Sequence, residues 1–304
     1  MLVLVCAAGG FGQTLSADLP YSDDFEAYNA PAGLSAQSNV WDTWDNNPVA
    51  DAIVNTEQAH SGSKSVKTVA SEMGFTDSDL VLQLDDPSGN WRGPCYEVIT
   101  YQYVPANQSG ETYWIMQSIY NHGGPYTWAV QIHMNAATGV ATADFGGETV
   151  PLKTDQWVEL RLLAHFTDYP NDLHQVYYDG TPFYFAPISW RDAMNGSNAA
   201  EIGSLDWYAN NTCCAYYDDL VVRELQGECN FAGETNCVYV LKKKVKAKKG
   251  CGSCPKKGDE FVTEDVCEEV KDCPKKLNLK QIPCPDGGRG FCKKINGKKA
   301  VDCR

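Results

Sequence analysis

Most of this 304-residue chain predicts an all-β fold, followed by a small disulfide-rich module. Three observations carry that expectation. From residue 20 to 225, short runs of β-branched and aromatic residues are cut by Gly, Pro, Asn and Asp at the spacing of a sandwich or barrel. No stretch sustains a 3.6-residue apolar period, and only "SWRDAMNG" reads as a short helix. Nine of the 13 Cys lie after residue 226, where there is neither Trp nor His.

The chain opens "MLVLVCAAGGFGQTLSA", a short apolar run followed by small residues, like the end of a secretory signal peptide. We expect residues 1–17 to be such a signal, truncated before its cationic segment. Val5 is a poor residue before a lipoprotein cysteine, so Cys6 is not favoured as a lipid anchor. Without Cys6 an even number of Cys remains, which fits an oxidising compartment, and hence a secreted or cell-surface protein. No stretch approaches the roughly 20 apolar residues of a membrane-spanning helix.

Individual strands follow. "YSDDFEAY" (21–28) and "CCAYYDDLVVREL" (213–225) both set Asp-Asp beside strand formers, and read as the opening and closing strands of one domain. "YEVITYQYVP" (96–105) and "TYWIMQSIY" (112–120) are rich in β-branched and aromatic residues. In "YTWAVQIHM" (126–134), alternation puts Trp128, Val130, Ile132 and Met134 on one face, with Gln131 and His133 on the other. "WVELRLLAHF" (157–166) sends Val158, Leu160, Leu162, Ala164 and Phe166 inward, and Glu159, Arg161 and His165 outward. "LHQVYYDG" (173–180) ends on an Asp-Gly turn.

The ordered set "DDFEAY", "AHSGSKSVK" (59–67), "QWVELRLLAHF", "YYDG" and "YYDDLVV" resembles concanavalin A-like lectin/glucanase jelly rolls, including the laminin G-like kind, over about residues 20–225. The resemblance implies a two-sheet antiparallel jelly-roll sandwich whose first and last strands are neighbours. Pairing of those strands brings Asp23, Asp24 and Glu26 toward Asp218 and Asp219. Hard oxygen ligands suit Ca²⁺, and related jelly rolls carry one near their terminal strands. Glu26, Asp219 and Asp24 are therefore the candidate ligands of a structural Ca²⁺. The alternative is that these acids flank strand ends in water.

Catalytic signatures are sparse. Glucanases of this fold set two carboxylates on one strand as Glu-x-Asp-x-Glu, and Glu148, Glu159 and Glu201 have no such partners. "QIH" (131–133) matches a short motif of alginate-lyase-type jelly rolls, without the Arg-rich and Lys-Tyr-rich companions. There is no Gly-x-Ser-x-Gly. A polar sheet face remains. Gln131 and His133, Glu159, Arg161 and His165, and Tyr177 with Gln175 line one shared glycan surface if their strands neighbour on a concave sheet. On a convex sheet they are a solvated exterior. Trp41 and Trp44, in the loop-like "NVWDTWDNNP", are the candidate sugar platforms. Trp128, Trp157 and Trp207 read as core.

Charge divides the chain. Residues 1–225 hold 7 Lys+Arg and 28 Asp+Glu, and residues 226–304 hold 18 and 11, balances of -21 and +7 that make up the total of -14. We therefore expect domains at 20–225 and 226–304. "CGSC" has zinc-ligand spacing, but it is the tail's only CxxC and no tail His accompanies it, so disulfides are favoured. An odd number of tail Cys leaves one to bond the first region or another chain, or to stay free. A bond between vicinal Cys213 and Cys214 would close a strained ring, so one or both are expected to pair elsewhere, with Cys95 or the tail. "LKKKVKAKKG" (241–250) is a solvated edge, or a contact for an anionic cell-surface polymer or an acidic protein surface. Nucleic acid is disfavoured by the scarcity of stacking aromatics. The sequence leads us to expect a non-catalytic carbohydrate-binding or adhesion protein. The alternatives are a polysaccharide-active hydrolase or lyase, and a structural surface protein without a ligand.

Overall fold

The structure is a computed structural model that describes residues 16–231, apart from 88–90, 92, 94, 146–148, 168–170, 185, 192–198, 212–213 and 227–228. Beyond residue 231 it describes the backbone of five strands. The readings placed on residues 1–15, Glu148, Cys213, the 192–196 part of the expected helix, "CGSC" and most of "LKKKVKAKKG" fall outside the described residues.

The first unit, Met1–Phe231, is a sandwich of two largely antiparallel sheets. One sheet runs Ala17–Asp18, Asp79–Asp85, Ser204–Asn210, Glu111–Tyr120, Tyr126–Asn135, Val140–Ala143 and Thr149–Pro151, with Trp41–Thr43 also paired to Asp79–Asp85. The other runs Thr181–Pro182, Leu173–Tyr178, Trp157–His165, Tyr96–Tyr103, Ala215–Glu224, Ser65–Thr68, Ile53–Asn55 and Ala32–Gly33. To this second sheet Ile188–Ser189 and Tyr21–Asp23 add short flanking strands. The opening and closing strands pair as expected, with Asp23 opposite Leu220.

Alternation explains the core. Leu80, Leu82, Trp114, Met116, Val130, Ile132, Leu205 and Trp207 of the first sheet meet Val98, Leu160, Leu162, Val176, Tyr217 and Val222 of the second. The sheets interlock where Trp207 stacks on Tyr217, ring centroids 4.4 Å apart and 6° from parallel. Such rings each remove about 150–250 Å² from water, worth several kcal/mol at about 25 cal/mol/Å². The Tyr217 hydroxyl accepts from Gln102 Nε2 and donates to the Tyr113 carbonyl across the sandwich, so its polar end is satisfied.

Segment 226–231 belongs to this unit. Cys229 is disulfide-bonded to Cys95, and Leu225, Cys229 and Phe231 cover Cys95, Leu163 and Tyr177. One tail cysteine thus bonds the first region, and Cys95 is taken by it rather than by Cys213 or Cys214. The second unit, Ala232–Arg304, contains a five-stranded sheet in the order Lys246–Ala247, Phe291–Cys303, Thr235–Leu241, Glu260–Cys267, with Asn278–Pro283 also on Phe291–Cys303.

Candidate functional site

The Asp-Asp pairs of the terminal strands act as clamps. The closing strand bulges between Asp218 and Val221, and Asp219 has φ +48°. Asp218 accepts from the backbone N–H groups of His60 and Ser61, at 2.7 and 3.2 Å. Asp219 accepts from Ser61 Oγ at 2.7 Å and lies 2.6 Å from His60 Nδ1. Glu26 accepts from the N–H groups of Ser63 and Lys64 and from Ser63 Oγ, and these hold its carboxyl below the usual range. Asp23 accepts from Trp41 Nε1, Phe25 N–H and two tyrosine hydroxyls. "AHSGSK" is thus the donor loop for acids of both the opening and the closing strand. Asp24 accepts the Glu26 N–H. Among the described residues no three or more His, Cys, Asp or Glu converge as a metal site.

A different feature occupies the outer face of the first sheet. In Ser204–Asn210, Leu205 and Trp207 point into the core, so Asp206 and Tyr208 point away from it. Register sets Asp206 beside Ile115 and Val81, Tyr208 beside Tyr113 and Asp79, and Gln131 beside Ile115. These residues floor a cavity of about 290 Å³ lined by Trp44, Asp79, Ile115, Trp128, Gln131, Asp206 and Tyr208.

Its aromatic wall follows from local backbone. In "WDNNP", Asp45 and Asn46 take φ of +51° and +57°, a region Asp and Asn tolerate better than most residues. The turn is pinned to the 121–126 hairpin: Asp45 N–H donates to the Tyr120 hydroxyl, and the Asp45 carboxylate accepts from Gly123 N–H and the Tyr126 hydroxyl. Trp44 then packs on Tyr126, on Tyr120, and in near-parallel stacking on Trp128, 5.9 Å away. Trp128 reaches this wall because the register of its strand shifts between Trp128 and Val130. Uninterrupted alternation would put Trp128 in the core with Val130, and the bulge turns it outward.

The floor is electrostatically unusual. Asp206 is 2% exposed and lies diagonally across adjacent strands from Asp79. Burial, then the neighbouring Asp79 carboxyl, pushes Asp206 well above the usual carboxylate range. Burial pushes Asp79 up to about 6. The Oδ1 atoms of both lack a hydrogen-bond partner. Two such groups in one site share a proton and titrate as a pair.

Predicted site residues fall in three places. Trp44 and Gln131 line the cavity, and His133 is next to it along the strand. Asp144 accepts from Gln131 Nε2 at 2.5 Å and lies 2.6 Å from His133 Nδ1, fixing both side chains. Trp41 does not belong here. It is 1% exposed, packed on Phe25 and Trp207 with its indole N–H on Asp23, which removes it from any ligand. Glu159, Arg161, His165 and Tyr177 belong to the second sheet, so the single shared surface is not formed. There Arg161 and Arg223 both bind the buried Glu97 carboxylate, and Tyr101 donates to Glu159. The Tyr177 hydroxyl donates to the Phe231 carbonyl, and His165 is opposite Leu173 at a strand end. Of the three tryptophans expected in the core, Trp207 is there, Trp128 lines the cavity and Trp157 meets His60 on the second sheet.

Asp79, Asp206, Ile115, Tyr208 and Trp128 were not anticipated in the site. One signal was present: in "SLDWYAN", a single Asp stands between Leu205 and Trp207 in a strand with a clear apolar face, and an acid there needs a reason.

No family model and no curated protein matches the chain. Several solved structures are similar to part of the chain. One is an endo-β-1,4-glucuronan lyase from the fungus Trichoderma reesei, at 9% identity over 61% of this chain and 94% of that one, TM-score 0.37. Another is the alginate lyase Aly36B in complex with alginate tetrasaccharide, at 12% identity over 68% and 98%, TM-score 0.42. A third is the C-terminal family 22 carbohydrate binding module of Clostridium thermocellum Xyn10B, at 16% identity over 67% and 92%, TM-score 0.32. At these values the likeness carries nothing about ligand or activity.

Proposed function

We propose that the protein is an exported, non-catalytic carbohydrate-binding protein of concanavalin A-like form, whose cavity over the first sheet holds a glycan free of acidic groups. The observation that carries this reading is the apposition of the Trp44–Trp128 wall and the Asp79–Asp206 floor in one cavity. Aromatic faces take the apolar face of a sugar ring, and carboxyl oxygens take its donors. The volume is at the small end of ligand cavities, about 300–1,000 Å³, suited to one ring of a chain.

Acidic glycans fit poorly. Each described Lys and Arg of the sandwich is committed to protein acceptors: Lys64 to the Glu26 and Tyr28 carbonyls, Lys67 to Glu57 and Glu72, Lys153 to Asp179, Arg161 and Arg223 to Glu97, and Arg191 to Asp172. Hydrolysis also fits poorly. Glycosidase carboxyls act from opposite faces of a sugar, whereas Asp79 and Asp206 are neighbours on one face of one sheet and titrate together. In this reading the basic tail supplies a second contact, with an anionic cell-surface polymer.

A glycan-array screen of the full chain, with product release measured in parallel, tests this. Saturable binding without new chain ends, lost in Trp128→Ala and Trp44→Ala, is expected. Release of oligosaccharides would replace it with a catalytic reading.

A further inference from the structure

We propose that the cavity selects a sugar bearing a protonated primary amine, the ammonium docking on the Asp79–Asp206 carboxyl pair. This rests on the glycan-binding reading and names the class of sugar.

The floor asks for a cation. Among the described residues, the charges that act on Asp206 and Asp79 are those of carboxyls. The adjacent strand contributes Asp79, and the wall loop contributes Asp45, whose charge also acts on Asp79. Tyr120 and Tyr208 feel both carboxyls, and Tyr217 feels Asp206 from the core side. The nearby His122 is engaged with Asp42 and the Tyr120 hydroxyl. None of these supplies a positive charge to the pair, and every described Lys and Arg of the sandwich is bound elsewhere. A buried pair of acids in that setting keeps a proton or takes a cation.

The unpartnered Oδ1 atoms of Asp79 and Asp206 favour a ligand that brings its own donors. An ammonium brings three donors and a positive charge, and no acceptor to clash with the carboxyls. Aromatic faces favour an organic cation over a metal ion: Trp44, Trp128, Tyr120 and Tyr126 pack around one another beside the floor, and ring faces attract ammonium groups. A lysine side chain shares the ammonium, but it offers a thin alkyl stem where the cavity has room for a ring.

The test is titration of the full chain with a glucosamine oligomer, its N-acetylated counterpart and the matching glucose oligomer, at pH 5 and pH 7. At pH 7 the glucosamine oligomer is expected to bind at least about tenfold tighter than the other two, in the range of a desolvated cation–π plus ion contact. Protonation of the pair is expected to cut its affinity roughly tenfold at pH 5, with no such fall for the N-acetylated chain. Asp206→Asn combined with Asp79→Asn should abolish the preference yet keep binding of the N-acetylated chain, and each single change should shift its pH dependence.

Equal binding of all three oligomers would overturn the inference and leave the glycan reading standing. Binding of none would remove both. A preference that survives the combined change, or a lysine oligomer competing as well as the glucosamine chain, would also overturn it. So would loss of every oligomer in Asp206→Asn, since the pair would then be bonding hydroxyls.

Discussion

Asp79 and Asp206 face each other diagonally across adjacent strands, because the register sets Asp206 opposite Val81 and Tyr208 opposite Asp79. Same-face diagonal neighbours are close enough for side chains to touch. Like charges in that arrangement oppose folding once both ionise. The folded values are raised, so the pair's stabilising contribution is complete below the unfolded value near 4, and is lost as pH rises through about 6. Asp206→Asn is therefore expected to raise stability at pH 7.5 by on the order of 1–3 kcal/mol and to change it little at pH 4. Urea denaturation at the two pH values checks this; equal effects at both would refute a pH-linked pair. A site that weakens its own fold is the usual signature of function over stability.

The two neighbouring tryptophans of "NVWDTWDNNP" should behave oppositely. Trp41→Ala removes a core ring and the indole donor to Asp23, and is expected to cost about 3–5 kcal/mol. Trp44→Ala trims a partly buried wall of the cavity and should cost roughly 1 kcal/mol or less while abolishing glycan binding. Thermal melts beside a binding assay separate the roles. Loss of binding in a stably folded Trp41 variant would count against the assignment.

The period-2 pattern made the strands legible: "WVELRLLAHF" buries the five residues that alternation selects, and the terminal strands pair. What alternation could not supply was sheet membership. Gln131 and Arg161 carry similar polar patterns, yet their strands belong to different sheets because pairing is non-local. Nor could it supply the bulge that turns Trp128 outward, since one extra residue reverses every face beyond it. The acid clamps were visible as Asp-Asp pairs, but their partners, His60 and Ser61, lie about 158 residues away in sequence.

That clamp has a steric key at Gly62. Its φ is +59°, and a Cβ there would lie 2.5 Å from Glu26 Oε1, the oxygen that receives the Ser63 and Lys64 N–H groups. Gly62→Ala is expected to cost on the order of 1–2 kcal/mol from the left-handed backbone alone, and more if Glu26 is displaced. Combining Gly62→Ala with Glu26→Gln should cost less than the sum of the single changes, because both act on one contact. Strict additivity in chemical denaturation would show that the two residues do not communicate.

Acid should undo the sandwich through His174. This imidazole is 1% exposed, between the rings of Tyr184 and Trp190, and burial lowers it to about 3 from 6.5. The unfolded chain takes up the proton first. Its contribution is therefore full above pH 6.5 and is lost progressively as pH falls toward 3. By pH 4 the loss is on the order of 3 kcal/mol, opposite in direction to that of the Asp79–Asp206 pair. His174→Phe keeps a planar ring among aromatic neighbours and removes the titration, so its stability curve should flatten between pH 6.5 and 4. In wild type that limb should fall, and in the Asp206→Asn background it should fall more steeply, with the compensating carboxyl pair gone. An acid limb unchanged in His174→Phe would assign the acid sensitivity to another group.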